Sequence, residues 1–126
     1  MTDGPGTAGA ALLDQAALDR LSAFGGRRLL RGMIELFVKN APIKAVEARE
    51  ALDCGDSAAL RAALHGLKSS AGQLGSATVY QACVAGEELA SRGELADCAQ
   101  HVATIETDLP AVCRELELIR ASAGAA

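Results

Sequence analysis

Aromatic side chains are nearly missing from this chain: there is no tryptophan, and Phe24, Phe37 and Tyr80 are the whole set. A core must therefore be assembled from Leu, Ala, Val and Ile, and 126 residues make one domain long enough to bury such a core. Alternating runs of Val, Ile and Thr are absent as well, which removes the strand signal, while abundant Ala, Leu, Glu and Arg favour helix. The chain also lacks an excess of positive charge. Its formal net charge of −4 argues against general nucleic-acid binding, which needs a basic footprint. No apolar run approaches the roughly 18 residues of a membrane span. The opening M-T-D-G-P-G-T-A-G has neither the basic nor the apolar region of a signal peptide. The expectation is a cytoplasmic protein with no nucleic-acid or membrane partner.

Cysteine pairs at metal spacing are lacking too. Cys54, Cys83, Cys98 and Cys113 form no C-x-x-C, and the last three fall on or beside apolar stripes, as small reduced core residues do. Cys98 and His101 make a C-x-x-H with no second pair to complete a site, so no metal is expected. Gly4, Gly6 and Gly9 match the spacing of a dinucleotide fingerprint, but no strand precedes them, and the match carries no meaning without one.

What is present is helical periodicity. After an N-terminal tail, 1–9, expected to be flexible, the pattern predicts a short helix over about 10–23, with Gly25-Gly26 as its stop signal. A long helix follows over about 26–53, with Leu30, Ile34, Phe37, Ala41, Ala45, Ala48 and Leu52 at three- and four-residue steps and a kink or short break expected at Pro42. Cys54-Gly55-Asp56-Ser57 reads as a turn that caps a helix over about 57–74. Gly75 closes that helix, and Ser76 is expected to cap the next one, about 77–91, which buries Val79, Cys83, Gly86 and Ala90 and stops at Gly93. The last helix, about 94–120, carries a seam of Leu95, Cys98, Val102, Ile105, Leu109, Val112, Leu116 and Ile119, with Pro110 as a possible bend and a flexible tail, 121–126, beyond. Together these predict an all-α protein: an antiparallel up-down-up-down four-helix bundle over 10–120 with an additional short N-terminal helix.

One helix carries chemistry. At 100° per residue, Leu60, Leu64, Leu67, Ala71 and Leu74 fall within about 80° of one another and form a buried stripe. His65 lies about 140° from its centre, with Lys68 at about 80°, Gly72 at about 120° and Ser69 at about 180°. An imidazole near neutral pH offers a lone pair and is a competent nucleophile toward an activated phosphoryl group. Lys68, one turn on, can set a charge against phosphoryl oxygens, and Gly72 leaves room above the helix. A solvated histidine without a role fits the same positions, so geometry alone leaves both readings open. His101 serves as the contrast: it lies beside the last seam, with Thr104 and not lysine three residues on.

The run His65-Gly66-Leu67-Lys68-Ser69-Ser70-Ala71-Gly72-Gln73-Leu74-Gly75 resembles the signature of histidine-containing phosphotransfer (HPt) domains. The resemblance extends through Phe37-Val38-Lys39-Asn40-Ala41-Pro42, Gly55-Asp56, Cys83, Glu87-Glu88-Leu89-Ala90 and Arg92-Gly93. Ser69 stands where glycine is commonest and Ser76 where alanine is frequent. The resemblance implies that His65 is the phospho-acceptor and Lys68 its charge partner. It also makes Gly72 the small position that admits a partner, Ser69 a hydrogen-bond donor to the phosphoryl group, and Arg61 a contact for the partner's acidic rim. The implied partners are response-regulator receiver domains and a sensor histidine kinase, hybrid or acting directly. Mg²⁺ is expected in the receiver, and no cofactor in this chain. With no Walker A run, the chain reads as a monomeric phosphocarrier without kinase activity of its own. The alternative is a helical adaptor that docks receiver or kinase domains without being phosphorylated.

Overall fold

A computed structural model describes residues 12–125, all helix and turn. Helix α1 is Gln15–Cys54, α2 is Ser57–Gln73, α3 is Ala77–Ser91 and α4 is Leu95–Ala125. The N-terminal tail expected over 1–9 lies outside the described residues.

Local chemistry sets most boundaries. Asp14 starts α1 by accepting a hydrogen bond from the Ala16 amide at 3.0 Å, and Asp56 starts α2 by accepting one from Ala59 at 3.0 Å. Gly55 ends α1 in the left-handed region, at φ 74°, a conformation that costs a glycine nothing. Several expectations are corrected here. Ser76 occupies the cap position of α3, but its hydroxyl makes no capping bond; the side chain is buried and its Oγ unpartnered, while its carbonyl accepts from Tyr80. The expected break at Pro42 is absent. Proline's own φ is helical, so it removes a donor without forcing the chain out of the helix. The departure falls at Gly26, within the Gly25-Gly26 pair read as a stop signal, at φ 76° and ψ −175°, and the chain resumes its helix at once. The segment 15–25, read from sequence as a separate short helix from about residue 10, is set off from the long helix by this one non-helical, positive-φ residue. At the other end, α4 runs on through Ala125 rather than stopping near 120, as alanine's helix propensity allows.

Each helix packs against two others: α1 on α2, α2 on α3, α3 on α4, and α4 back on α1. The core is aliphatic, as the shortage of aromatics requires, with Ile34, Leu60, Leu64, Val79, Val112 and Leu116 fully enclosed. Phe37 is the one buried aromatic. The α4 seam is buried from Cys98 to Leu116, with Leu95 and Ile119 at its edges. Gly86 lets α2 and α3 approach closely: a Cβ there would sit 2.8 Å from Leu64 Cδ1. Across the outside, Arg49 grips Glu106 with two hydrogen bonds of 2.8 Å, tying α1 to α4. Among the described residues, no helix is long and apolar enough to cross a membrane.

Candidate functional site

The apolar stripe of α2 faces the core, which turns His65 outward; its side chain is 67% exposed. The ring is not loose. Its Nδ1 lies 2.9 Å from Oε2 of Glu87, which α3 presents from across the α2–α3 contact. The other oxygen of the same carboxylate lies 2.7 Å from Lys68 Nζ. At that distance the ammonium and the carboxylate form a close ion pair. One carboxylate thus holds both the histidine and the lysine of the motif.

Glu87 is only 14% exposed, and burial by itself pushes its pKa up. The Lys68 ammonium and the His65 contact outweigh burial and hold the carboxyl below the usual carboxylate range. At neutral pH it is therefore ionised, and an ionised carboxylate can only accept. The proton of the shared bond belongs on Nδ1, and the neutral ring keeps its lone pair on Nε2. Beneath the site, burial and the Glu87 charge push the Cys83 thiol up to about 12, although Lys68 opposes the shift. Cys83 is an inert core residue.

The remaining residues singled out by sequence sort as follows. Ser69 is exposed one turn after His65. Arg61 is exposed one turn before it and makes no hydrogen bond or ion pair with the described residues. Gly72 does not face empty space: a Cβ there would meet the Tyr80 ring at 3.0 Å, so the missing side chain accommodates Tyr80. Lys68 is half-buried and engaged with Glu87, not free beside the imidazole. On the α1 side, the Lys44 stem lies over Gly66, 3.4 Å from where a Cβ would be. Its ammonium is 3.2 Å from Glu47.

Sequence reasoning missed Glu87 as a site residue. The signal was there: Glu87 follows Cys83 by four residues and Gly86 by one, so it sits at the edge of the buried side of α3. A carboxylate in that position needs a partner, but only the pairing of α2 with α3 names it. Among the described residues, no group of three His, Cys, Asp or Glu side chains could hold a metal. Cys98 is buried with Sγ 3.5 Å from the Gly86 carbonyl, and His101 is half-buried beside it.

Comparison with known proteins gives a consistent answer. The Hpt domain family model matches residues 32–121. No curated protein sequence matches the chain. Among solved structures, histidine-containing phosphotransfer protein B (HptB) from Pseudomonas aeruginosa is similar, with 25% identity and a TM-score of 0.83 over 90% of this chain and 97% of that one. A rice protein provisionally described as a histidine-containing phosphotransfer protein shares the fold, at 16% identity and a TM-score of 0.74, over 92% of this chain and 86% of its own.

Proposed function

The chain belongs to the Hpt domain family, and from that membership and the site geometry we propose that it relays phosphoryl groups in a two-component phosphorelay, carrying each one on Nε2 of His65. The observation that carries the residue assignment is the 2.9 Å contact between Nδ1 and Glu87. It orients the ring and leaves Nε2, the outward nitrogen, as the nucleophile.

The donor is the aspartyl phosphate of a receiver domain. The Nε2 lone pair forms the N–P bond while the O–P bond of the acyl phosphate breaks, and its electron pair leaves on the donor's carboxylate. The ring gains positive charge in this step and keeps its Nδ1 proton against Glu87, whose negative charge lies where that charge develops. Lys68 balances the arriving phosphoryl oxygens by turning from Glu87 toward them. The reverse step passes the group to a second receiver. Ser69 and Arg61 lie on the docking side of α2. The acidic pocket and Mg²⁺ belong to the receiver, and this chain contributes nucleophile, charge and surface as a phosphocarrier without kinase activity. The short turns between consecutive helices support an antiparallel up-down-up-down order, with the segment before Gly26 as an added short helix and a domain spanning about 10–120. We place it in the cytoplasm as a monomer, where receivers and kinases meet it.

The test is incubation with a phosphorylated receiver, reading acid-labile, alkali-stable label on this chain. Label that persists in His65→Gln sinks the assignment. Kinase catalytic domains supplied with and without their receivers distinguish direct phosphorylation from relay through aspartate.

A further inference from the structure

Helix α1 carries a second stripe, on the side away from the core. Its buried residues Ile34, Phe37, Ala41, Ala45 and Ala48 mark the inner side. At 100° per residue, Leu36, Lys39, Ile43, Val46 and Glu50 fall within about 80° of one another, centred opposite that side. All five are exposed, and the three apolar members are 61%, 52% and 56% so for Leu36, Ile43 and Val46. A single exposed aliphatic side chain is ordinary, but three at helical spacing make a strip that is costly to leave in water. Pro42, Ile43, Val46, Glu47 and Glu50 line a shallow hollow of about 400 Å³ along it. Two charges of the strip are left without partners. Glu47 is held by Lys44 and Glu35 by Arg120, whereas Lys39 and Glu50 make no hydrogen bond or ion pair with the described residues.

The order of these residues says what covers the strip. Lys39, Ile43, Val46 and Glu50 follow one another at steps of four, three and four, as alternating heptad seam positions do. Lay a second copy of the helix antiparallel, with the two-fold axis between Lys44 and Ala45. Ile43 then meets the partner's Val46, and Lys39 meets the partner's Glu50. Symmetry repeats both pairings, so four aliphatic side chains form a centre that an ion pair closes at each end. A parallel pair would instead set lysine on lysine and glutamate on glutamate, so the charges select the antiparallel order. The strip is complementary to itself, which is what a two-fold contact requires. From Leu36 to Glu50 it is about 21 Å long and one helix wide, short of the roughly 800 Å² per partner of a standard interface. The pair is therefore weak, and the monomer prevails at low concentration. Both phosphorylation sites stay open in it, because His65 meets Glu87 on the α2–α3 side while the strip faces outward on α1.

We propose that the outer face of α1 is a self-association surface: two copies of this chain pair antiparallel through Ile43 and Val46, with Lys39 of each copy against Glu50 of the other. The equilibrium gives monomer on dilution and a two-fold dimer as concentration rises, and the dimer carries two His65 sites on one particle. The assignment goes beyond the phosphorelay reading and does not depend on it.

The test is sedimentation velocity of the full chain across a concentration series. The average mass rises from that of the monomer toward twice that value, with a dissociation constant on the order of 100 µM. Ile43→Asp weakens association about tenfold or more, as loss of a central apolar anchor does. Lys39→Glu and Glu50→Lys each set like charges together twice and weaken it about fivefold, more at low salt than at high. An equimolar mixture of those two variants recovers wild-type association, because every charge contact in the mixed pair is again between opposite signs. Leu118→Asp, at an exposed apolar position on α4, leaves association at the wild-type value. All the substituted side chains are exposed, and matching melting temperatures check that the variants fold. Three results overturn the proposal: wild type that stays monomeric up to about 1 mM, a dimer that Ile43→Asp leaves intact, or a mixture that associates no better than either charge variant alone.

Discussion

Removing the Glu87 charge isolates the contribution of the fixed imidazole. In Glu87→Gln the amide fits the same space, but Nδ1 loses an ionised acceptor and Lys68 loses its counter-charge. A hydrogen bond to a charged group is worth about 1.5–3 kcal/mol net. His65 is two-thirds exposed, so the lower end applies, and about 1.4 kcal/mol is a tenfold change. Transfer from a saturating phosphorylated receiver should therefore slow about tenfold in Glu87→Gln, and somewhat more in Glu87→Ala, where no acceptor remains. Because Glu87 is mostly covered, the loss belongs in kcat, with KM for the receiver nearly unchanged. Rapid-quench kinetics measure the split, and ¹⁵N imidazole shifts report the tautomer, which moves away from the Nδ1–H form. A Glu87→Ala protein with wild-type kcat and an unchanged tautomer would refute the idea that Glu87 positions the nucleophile.

Three further outcomes follow from the same coordinates. The folded state depresses the Glu87 pKa, so its contribution to stability is full above the ordinary carboxylate range and disappears as pH falls through the depressed value; urea unfolding of wild type and Glu87→Gln should converge at acid pH and separate at neutral pH. Gly86→Ala forces a Cβ to within 2.8 Å of Leu64 Cδ1, in a side chain with no room to move, and should cost about 1–3 kcal/mol, seen as a lowered melting temperature. Of the four thiols, Cys54 is exposed and should react quickly with a disulfide reagent, Cys113 more slowly, and buried Cys83 and Cys98 only on unfolding.

Much of the bundle was legible because its signals are periodic and local. The seam of α4 and the stripe of α2 are set by residues three and four apart, and Asp56 stands immediately before the helix it starts. The features that escaped depend on contacts between distant parts of the chain. Glu87 becomes a site residue only when α3 lies against α2. The Gly72 void is filled by Tyr80, eight residues on and across a turn, which no wheel can show. At Gly26 and Pro42, two helix breakers were expected to act, and only the glycine interrupts the helix. The glycine does so because its positive φ redirects the chain, whereas proline's φ already suits a helix. Ser76 carries the right residue type for a cap, yet burial of its hydroxyl overrides the preference.

The first helix has a property that its length conceals. Its leading eleven residues are fastened at both ends: at Gly26 by a single positive-φ residue, and at Asp14 by an amide that donates to the Gly75 carbonyl at 2.7 Å. Gly75 closes the turn directly after the histidine helix. The segment is thus a brace pinned across the end of α2, at the turn that terminates the helix bearing His65. Amide exchange at Asp14 is the natural gauge of how firmly the brace is held.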